Sequence, residues 1–257
     1  MVESIHSSLT ESNGINVGDT CILPFGGTWS QFKAVRSDEI FVVPSTIDPK
    51  QLSMFGINAA SGLLLVNSTN LQTGDWMIQN AANSAVGKLI IKFAKRRGIK
   101  TVNVVRREDV FDELYALGAD VVLLDGDNLK QRVATATNQA TIKVALDAVA
   151  GAASGRLVDT LGFGGRLIVY GLLSDDTLIL PATRIAFHSI SVGGFSRMGI
   201  LRQMTVEARK QFFEELVLCY LEGLFAFSIE KIFPMDQVVE AFESSEMSKN
   251  GKVLISF

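Results

Sequence analysis

The feature that most constrains this chain is an alternation. From about Asn58 to Met198, short strand-like apolar runs take turns with segments of helical period. A chain patterned this way folds as a parallel sheet covered by helices on both faces. Trp76-Met77-Ile78 follow a Gly74-Asp75 turn as a short strand, and a turn of small and polar residues from Asn80 to Ala85 leads out of it. In the helix that follows, Val86, Leu89, Ile90, Phe93 and Ala94 fall at i, i+3, i+4, i+7 and i+8, so one face is buried. Gly98 stands where a helix takes a left-handed cap, and residues 101–105 form the next strand. This is one βαβ unit. Further strands are expected at residues 121–124, 144–146 with Asp147 at the end, 166–170 and 189–192.

The flanking blocks read differently. Residues 14–57 carry short β-branched and aromatic runs, Thr20-Cys21-Ile22-Leu23 and Ile40-Phe41-Val42-Val43, stopped by Pro24 and Pro44. After about residue 200 come an amphipathic helix at 207–221, a strand at 228–233, a helix at 236–244 and a last strand at 252–257.

Composition narrows the function classes. With 47% hydrophobic and 20% charged residues the chain is not disordered. A net charge of −3 and no basic run give no electrostatic case for nucleic acid or an anionic membrane, and no apolar stretch approaches the roughly 18 residues of a bilayer span. Cys21 and Cys219 have no Cys or His beside them at ligand spacing, so neither zinc nor a disulfide framework is expected. The opening MVESIHSSLTESNG has no signal or transit pattern, which points to the reducing cytoplasm.

The turn after the first strand is where a dinucleotide pyrophosphate would sit, because free N–H groups and a positive dipole end point at an anion there. Against the fingerprint G-x-G-x-x-G the chain reads Ala82-Asn83-Ser84-Ala85-Val86-Gly87, which keeps only the third glycine. A plain βα turn of another doubly wound fold fits this pattern equally well. The end of the second strand bears on the cofactor. NAD asks for an acid there, whereas this chain has Arg106-Arg107, two guanidinium groups suited to a 2′-phosphate and hence to NADPH. The plainer reading is a solvated basic pair heading a helix with Glu108 and Asp109.

Residues 74–109, GDWMIQNAANSAVGKLIIKFAKRRGIKTVNVVRRED, resemble the cofactor core of the zinc-independent medium-chain dehydrogenase/reductases, in particular the trans-2-enoyl-CoA (2-enoyl thioester) reductase branch. Gly27-Thr28-Trp29, Gly56-Ile57-Asn58, Leu117-Gly118-Ala119, the segment from Asp147 to Gly151, Gly164-Gly165-Arg166 and Gly251-Lys252-Val253-Leu254 fall where that branch has similar segments. The resemblance implies an α/β fold: a doubly wound parallel sheet (Rossmann) binding NADP at residues 58–200, and a partial GroES-like β domain at 1–57 and 201–257. It implies reduction of the C=C bond of a 2-enoyl thioester with NADPH in fatty acid metabolism, and a mitochondrial setting should a leader lie upstream.

By resemblance, Asn58 lies near the nicotinamide, while Asn83, Ser84, Ala85 and Val86 hold the pyrophosphate and Arg106 and Arg107 the 2′-phosphate. Tyr170, Gly171, Leu172 and Leu173 flank the nicotinamide with Phe195, Ser196 and Arg197, and Lys252 closes the cleft. Unaided, Asn58 reads as a capping amide, Lys252 as a solvated cation and Tyr170 as a buried ring. The family has an aromatic where this chain has Ser196. Its proton-donating tyrosine lies in an opening segment that precedes this chain's matching residues, and Tyr115, Tyr170 and Tyr220 occupy other segments, so no catalytic residue is assigned. Quinone or enone reduction, or NADPH binding without chemistry, remain open beside enoyl reduction. An edge strand at residues 188–194 is expected to pair two copies into a homodimer, and Ile22, Leu23, Phe25, Trp29 and Phe32, which would otherwise lack part of the barrel that buries them, add weight to association.

Overall fold

The computed structural model describes residues 1–5, 14–26, 30–174, 177–247 and 251–256. The chain divides into two compact units, Ser61–Arg197 and a second composed of Met1–Ala60 with Met198–Phe257. In chain order, the second unit opens with β1 (Cys21–Ile22) paired antiparallel to β2 (Phe41–Val42). Both strands stop within two residues of a proline, which has no N–H to donate to a ladder. In α1 (Pro49–Leu52) the Asp48 carboxylate accepts from Lys50 N–H at 3.0 Å, a side-chain N-cap ahead of a proline at the first helical position. A π-helical turn, Phe55–Ala59, then runs into α2 (Ala60–Ser68).

Ser61–Arg197 holds β3 (Trp76–Gln79), α3 (Ala85–Arg96), β4 (Lys100–Val105), α4 (Phe111–Leu117), β5 (Val121–Leu124), α5 (Leu129–Ala136), β6 (Ile142–Asp147), α6 (Gly151–Thr160), β7 (Leu161–Val169), α7 (Ala182–His188) and β8 (Ser191–Gly194). The strands form one sheet in the order β5-β4-β3-β6-β7-β8, every pair parallel. The inner strands are covered on both faces, which is why they are mostly apolar rather than alternating. Ile78, Val102, Val104 and Val121 pack with Leu129 and Val133 of α5 and Leu157 and Val158 of α6. Val105 and Val122 point the other way, onto Ile91 of α3 and Leu114 of α4. Each such aliphatic side chain contributes about 1.5–3 kcal/mol on burial. α2 lies close on α3: a Cβ on Gly62 would come within 2.8 Å of Leu89 Cβ. Arg184 of α7, buried, donates to the carbonyls of Leu161 and Val158 and so satisfies the end of α6.

The second unit resumes with α8 (Arg197–Gln203) and α9 (Val206–Leu221), whose Thr205 cap accepts from Ala208 N–H at 3.1 Å. Then come β9 (Ile229–Pro234), α10 (Val238–Met247) and β10 (Lys252–Ser256), with β9 and β10 parallel. Its core is aromatic. Phe55 meets Tyr220, Phe225 and Phe227 at ring distances of 5.2, 5.5 and 6.4 Å, and the Gln51 amide clasps both backbone groups of Phe227. A cavity of about 940 Å³ opens between β2 and α9, lined by Phe41, Val43, Phe213, Val217, Leu221 and Lys210 among others. No helix among the described residues is long and apolar enough to cross a membrane.

The edge of the sheet differs from expectation. The chain is helical through His188, and Ser189 turns it at φ 52°, so the strand starts only at Ser191. Ile190, expected on an exposed edge, is 4% exposed and belongs to the core. The alternation Ile190-Ser191-Val192 resembles a strand from its first residue, whereas the turn at Ser189 is set by packing of α7 on β7. Of the apolar residues at the start, Ile22 is buried and Phe32 exposed. Gly27-Thr28-Trp29 lie outside the described residues.

Candidate functional site

β3 is the strand from which the sheet grows in both directions, toward β4 on one side and β6 on the other. Chains leave its carboxyl end and that of β6 in opposite directions, and a crevice opens there in folds of this kind. The turn out of β3 begins with Asn80, 3% exposed, whose amide bridges the two strand ends: Nδ2 donates to Asp147 Oδ1 at 2.6 Å and Oδ1 accepts from Ala148 N–H at 2.7 Å. Ala81 takes φ 46°, and Ser84 then caps α3. Its Oγ accepts from Gly87 N–H at 3.1 Å and its carbonyl from Lys88 N–H at 2.9 Å. That leaves the N–H groups of Ala85 and Val86 without a partner among the described residues, at the positive end of a 12-residue helix. Gly87 permits the close approach, since a Cβ there would lie 2.6 Å from the Ala82 carbonyl oxygen. Asn83, Ser84, Ala85 and Val86 are all half-buried around this point.

Arg106 and Arg107 follow β4, the neighbouring strand. They divide the two readings of the pair between them. Arg107 pairs with Asp109 at 3.2 Å across the helical turn it heads, while Arg106 is exposed and has no ion-pair partner among the described residues. Beyond β5, Asp125 and Arg156 form a two-pronged ion pair at 2.7 and 2.5 Å. Burial works against the Asp125 charge, but the Arg156 hydrogen bonds and the Gly126 N–H prevail and hold the carboxyl below its ordinary range.

On the other side of the crevice, Tyr170 follows β7 and donates its N–H to the Asp147 carbonyl at 2.8 Å. A Cβ on Gly171 would lie 2.8 Å from the Ala148 oxygen, and Leu173 N–H reaches the same oxygen at 3.0 Å. Leu172 and Leu173 remain exposed. The Tyr170 hydroxyl is buried without a hydrogen bond, and that burial, with the Asp147 carboxylate adding to it, raises its pKa above the ordinary phenol value. Phe195 follows β8, its N–H on the Val169 carbonyl at 2.8 Å; Ser196 is exposed, and burial lowers the pKa of Arg197. Asn58 and Lys252 belong to the other unit. Asn58 is half-buried in the π-helical turn, its N–H on the Met54 carbonyl at 2.9 Å, and Lys252 opens β10, its N–H on the Ser228 carbonyl at 2.8 Å.

Sequence reasoning missed the centre of this arrangement, Asp147. It has no exposed surface and its carboxylate accepts from Asn80, from the N–H groups of Val149 and Ala150 at 2.9 and 3.1 Å, and from Ser154 Oγ at 2.5 Å. The loop it gathers is strained, with Ala150 at φ 67°. The available signal was Asn80 and Asp147, polar residues closing two apolar strands.

A family model for zinc-binding dehydrogenases matches residues 85–215. A mitochondrial enoyl-[acyl-carrier-protein] reductase of Dictyostelium discoideum is 31% identical over 240 residues, 89% of this chain and 67% of the relative. The chain belongs to the medium-chain dehydrogenase/reductases. Within that family it sides with the enoyl reductases. It spans from 50% to 71% of the length of enzymes of that name from Xenopus tropicalis and Arabidopsis thaliana. Two solved structures share the fold: a mycobacterial protein complexed with NADPH, with a TM-score of 0.85 and 19% identity over 99% of this chain and 80% of that one, and Etr1p with NADP and crotonyl-CoA, with a TM-score of 0.75 and 22% identity over 86% and 68%.

Among the described residues no group of three His, Cys, Asp or Glu is placed to hold the metal of the family model's description, and Cys21 and Cys219 are not joined in a disulfide. A dinucleotide does fit, on the evidence of the two unpartnered N–H groups beside a cradle that a Cβ at Gly87 would fill. The chain has three tyrosines. Tyr115 Oη accepts from Val122 N–H at 3.2 Å, Tyr220 packs on Phe55 and Phe225, and the Tyr170 hydroxyl is buried.

Proposed function

We propose that the chain is an NADPH-dependent reductase of the C=C bond of a 2-enoyl thioester, an enoyl-CoA or enoyl-acyl carrier protein, in fatty acid metabolism. The observation that carries the reading is the crevice at the end of β3, where, among the described residues, the N–H groups of Ala85 and Val86 have no partner and Arg106, just after the adjoining strand, has no ion pair. The enoyl reductases matched along the chain supply the substrate class. When bound, NADPH would supply the hydride for the β-carbon of the thioester.

The chain's own part is binding and orientation. Ala85 and Val86 N–H hold the pyrophosphate, with Asn83 and Ser84 shaping the turn. Arg106 takes the 2′-phosphate, and Arg107, tied to Asp109, flanks it. Tyr170, Gly171, Leu172 and Leu173, with Phe195, Ser196 and Arg197, flank the nicotinamide and exclude water from it. For Asn58 and Lys252 the support is the resemblance alone. On the same ground the unit of Met1–Ala60 and Met198–Phe257 is read as a partial GroES-like substrate domain. The relatives' names carry the word mitochondrial, which supports that compartment over the cytoplasm.

Following NADPH absorbance with crotonyl-CoA tests the activity. Consumption with crotonyl-CoA, slower with NADH, is expected. Consumption with a quinone alone moves the protein to quinone reduction, and cofactor binding without either turnover leaves a binding module.

The partner we propose is a second copy. β8 is an edge strand exposed along its length, Val192 is 41% exposed and Phe187 of α7 is 76% exposed. Edge pairing about a two-fold axis would continue the sheet and cover them. Light scattering is expected to give a dimer for the wild type and a monomer for Val192→Lys; a wild-type monomer, or a variant dimer, refutes this. Ile190 is no probe of the edge, because it is buried.

A further inference from the structure

The centre of a parallel sheet covered on both faces is a place for apolar side chains. β3 and β4 instead set Gln79 directly opposite Asn103, both without exposed surface, with Thr101 two residues earlier on β4 at 1% exposure. The Gln79 amide donates to Asn103 Oδ1 at 2.8 Å and to the Gly87 carbonyl at 3.0 Å. The Asn103 amide donates to Thr101 Oγ1 at 2.9 Å and to the Val121 carbonyl at 3.1 Å. A ladder of hydrogen bonds thus runs from β5 across β4 and β3 and ends on the first turn of α3. It is incomplete, because Gln79 Oε1 is buried and accepts no hydrogen bond among the described residues.

A partly satisfied polar network is a poorer source of stability than apolar side chains of the same volume. What this one supplies is placement. Gly87 is the residue at which α3 comes down onto the backbone of Ala81 and Ala82. Its N–H is held by Ser84 Oγ and its carbonyl by Gln79, so the turn between them has both its ends fixed. Ala85 and Val86 lie in that turn.

We infer that Gln79, supported by Asn103, is a positioning residue that sets the height of the first turn of α3 over the sheet and so aims the Ala85 and Val86 N–H groups at an anion. This rests on the dinucleotide reading above and assigns Gln79 to the pyrophosphate common to both nicotinamide cofactors. Its amide protons are spent inside the fold, so it acts through Gly87.

The test is the double variant Gln79→Leu/Asn103→Leu, which replaces both hydrogen-bonding partners by apolar side chains of similar volume. Its thermal midpoint is expected at or above that of the wild type, while the dissociation constants for NADPH and NADH, read by fluorescence titration, both rise about tenfold. Gln79→Asn, which keeps an amide but draws it back by a methylene, is expected to weaken both cofactors about threefold. Stability and affinity falling in step, an unfolded double variant, or affinities within about twofold of the wild type in both variants would overturn the inference. Titrating the wild type separates the two claims: binding of neither cofactor sinks the dinucleotide reading itself, whereas wild-type binding that the folded variants retain sinks only the role of Gln79.

Discussion

Phe93 and Phe213 are each 1% exposed, each on a long helix, and each in a different unit, yet their surroundings differ. Phe93 lies where α3 is pressed against α2, with its ring 3.5 Å from the position a Gly62 Cβ would take. Phe213 stacks against Phe41 at 4.4 Å and Phe212 at 5.2 Å, and also lines the cavity of about 940 Å³ between β2 and α9. The same contrast holds for the units as wholes. Ser61–Arg197 is built on one continuous six-stranded sheet, whereas the other unit has, among the described residues, two pairs of short strands. Equal burial of a side chain therefore does not mean equal packing around it.

Truncating the two rings is the largest test of that contrast. A void left in dense packing stays open, while one beside an existing cavity lets neighbours shift, so Phe93→Ala should cost about 4–5 kcal/mol and Phe213→Ala about 3 kcal/mol in urea unfolding. The reverse order would break the comparison. A smaller effect is expected at the crevice rim. Arg106→Ala removes an exposed side chain with no ion pair, so the unfolding midpoint should not move, while NADPH binding weakens by about 1.5–3 kcal/mol and NADH binding does not change. Equal loss for both cofactors in a titration would remove Arg106 from the 2′-phosphate.

The smallest effect concerns acid. The Asp125 carboxyl is held below its ordinary range in the fold, so the ion pair with Arg156 contributes stability that is present above the unfolded carboxylate value and lost as pH falls through the folded one. Asp125→Asn should therefore cost about 1 kcal/mol or less near neutrality, and the difference from wild type should vanish at acid pH below the ordinary carboxylate range. A difference that persists unchanged in acid would assign the effect to packing.

Much of the crevice was legible in the sequence because its logic is local. A cap, a helix with one apolar face and a third glycine are all set by neighbours in the chain, and Ser84, Gly87 and Arg106 can be read off in order. Asp147 could not be read this way. Its partners Asn80 and Ser154 lie 67 and 7 residues away, and only the parallel pairing of β3 with β6 brings the first of them to it. The edge strand failed for a related reason: the alternation around Ile190 is a β pattern, but whether its first residue faces solvent depended on α7 turning the chain at Ser189.

By itself, the sequence determined the elements, their parallel arrangement and the turn that faces an anion, because hydrophobic period, caps and glycines act over a few residues. Only the tertiary structure decided which polar side chains meet inside the sheet. Gln79 and Asn103 are 24 residues apart and their hydrogen bond exists because β3 and β4 pair in one register; a shift by one residue would set the two side chains on opposite faces and break it.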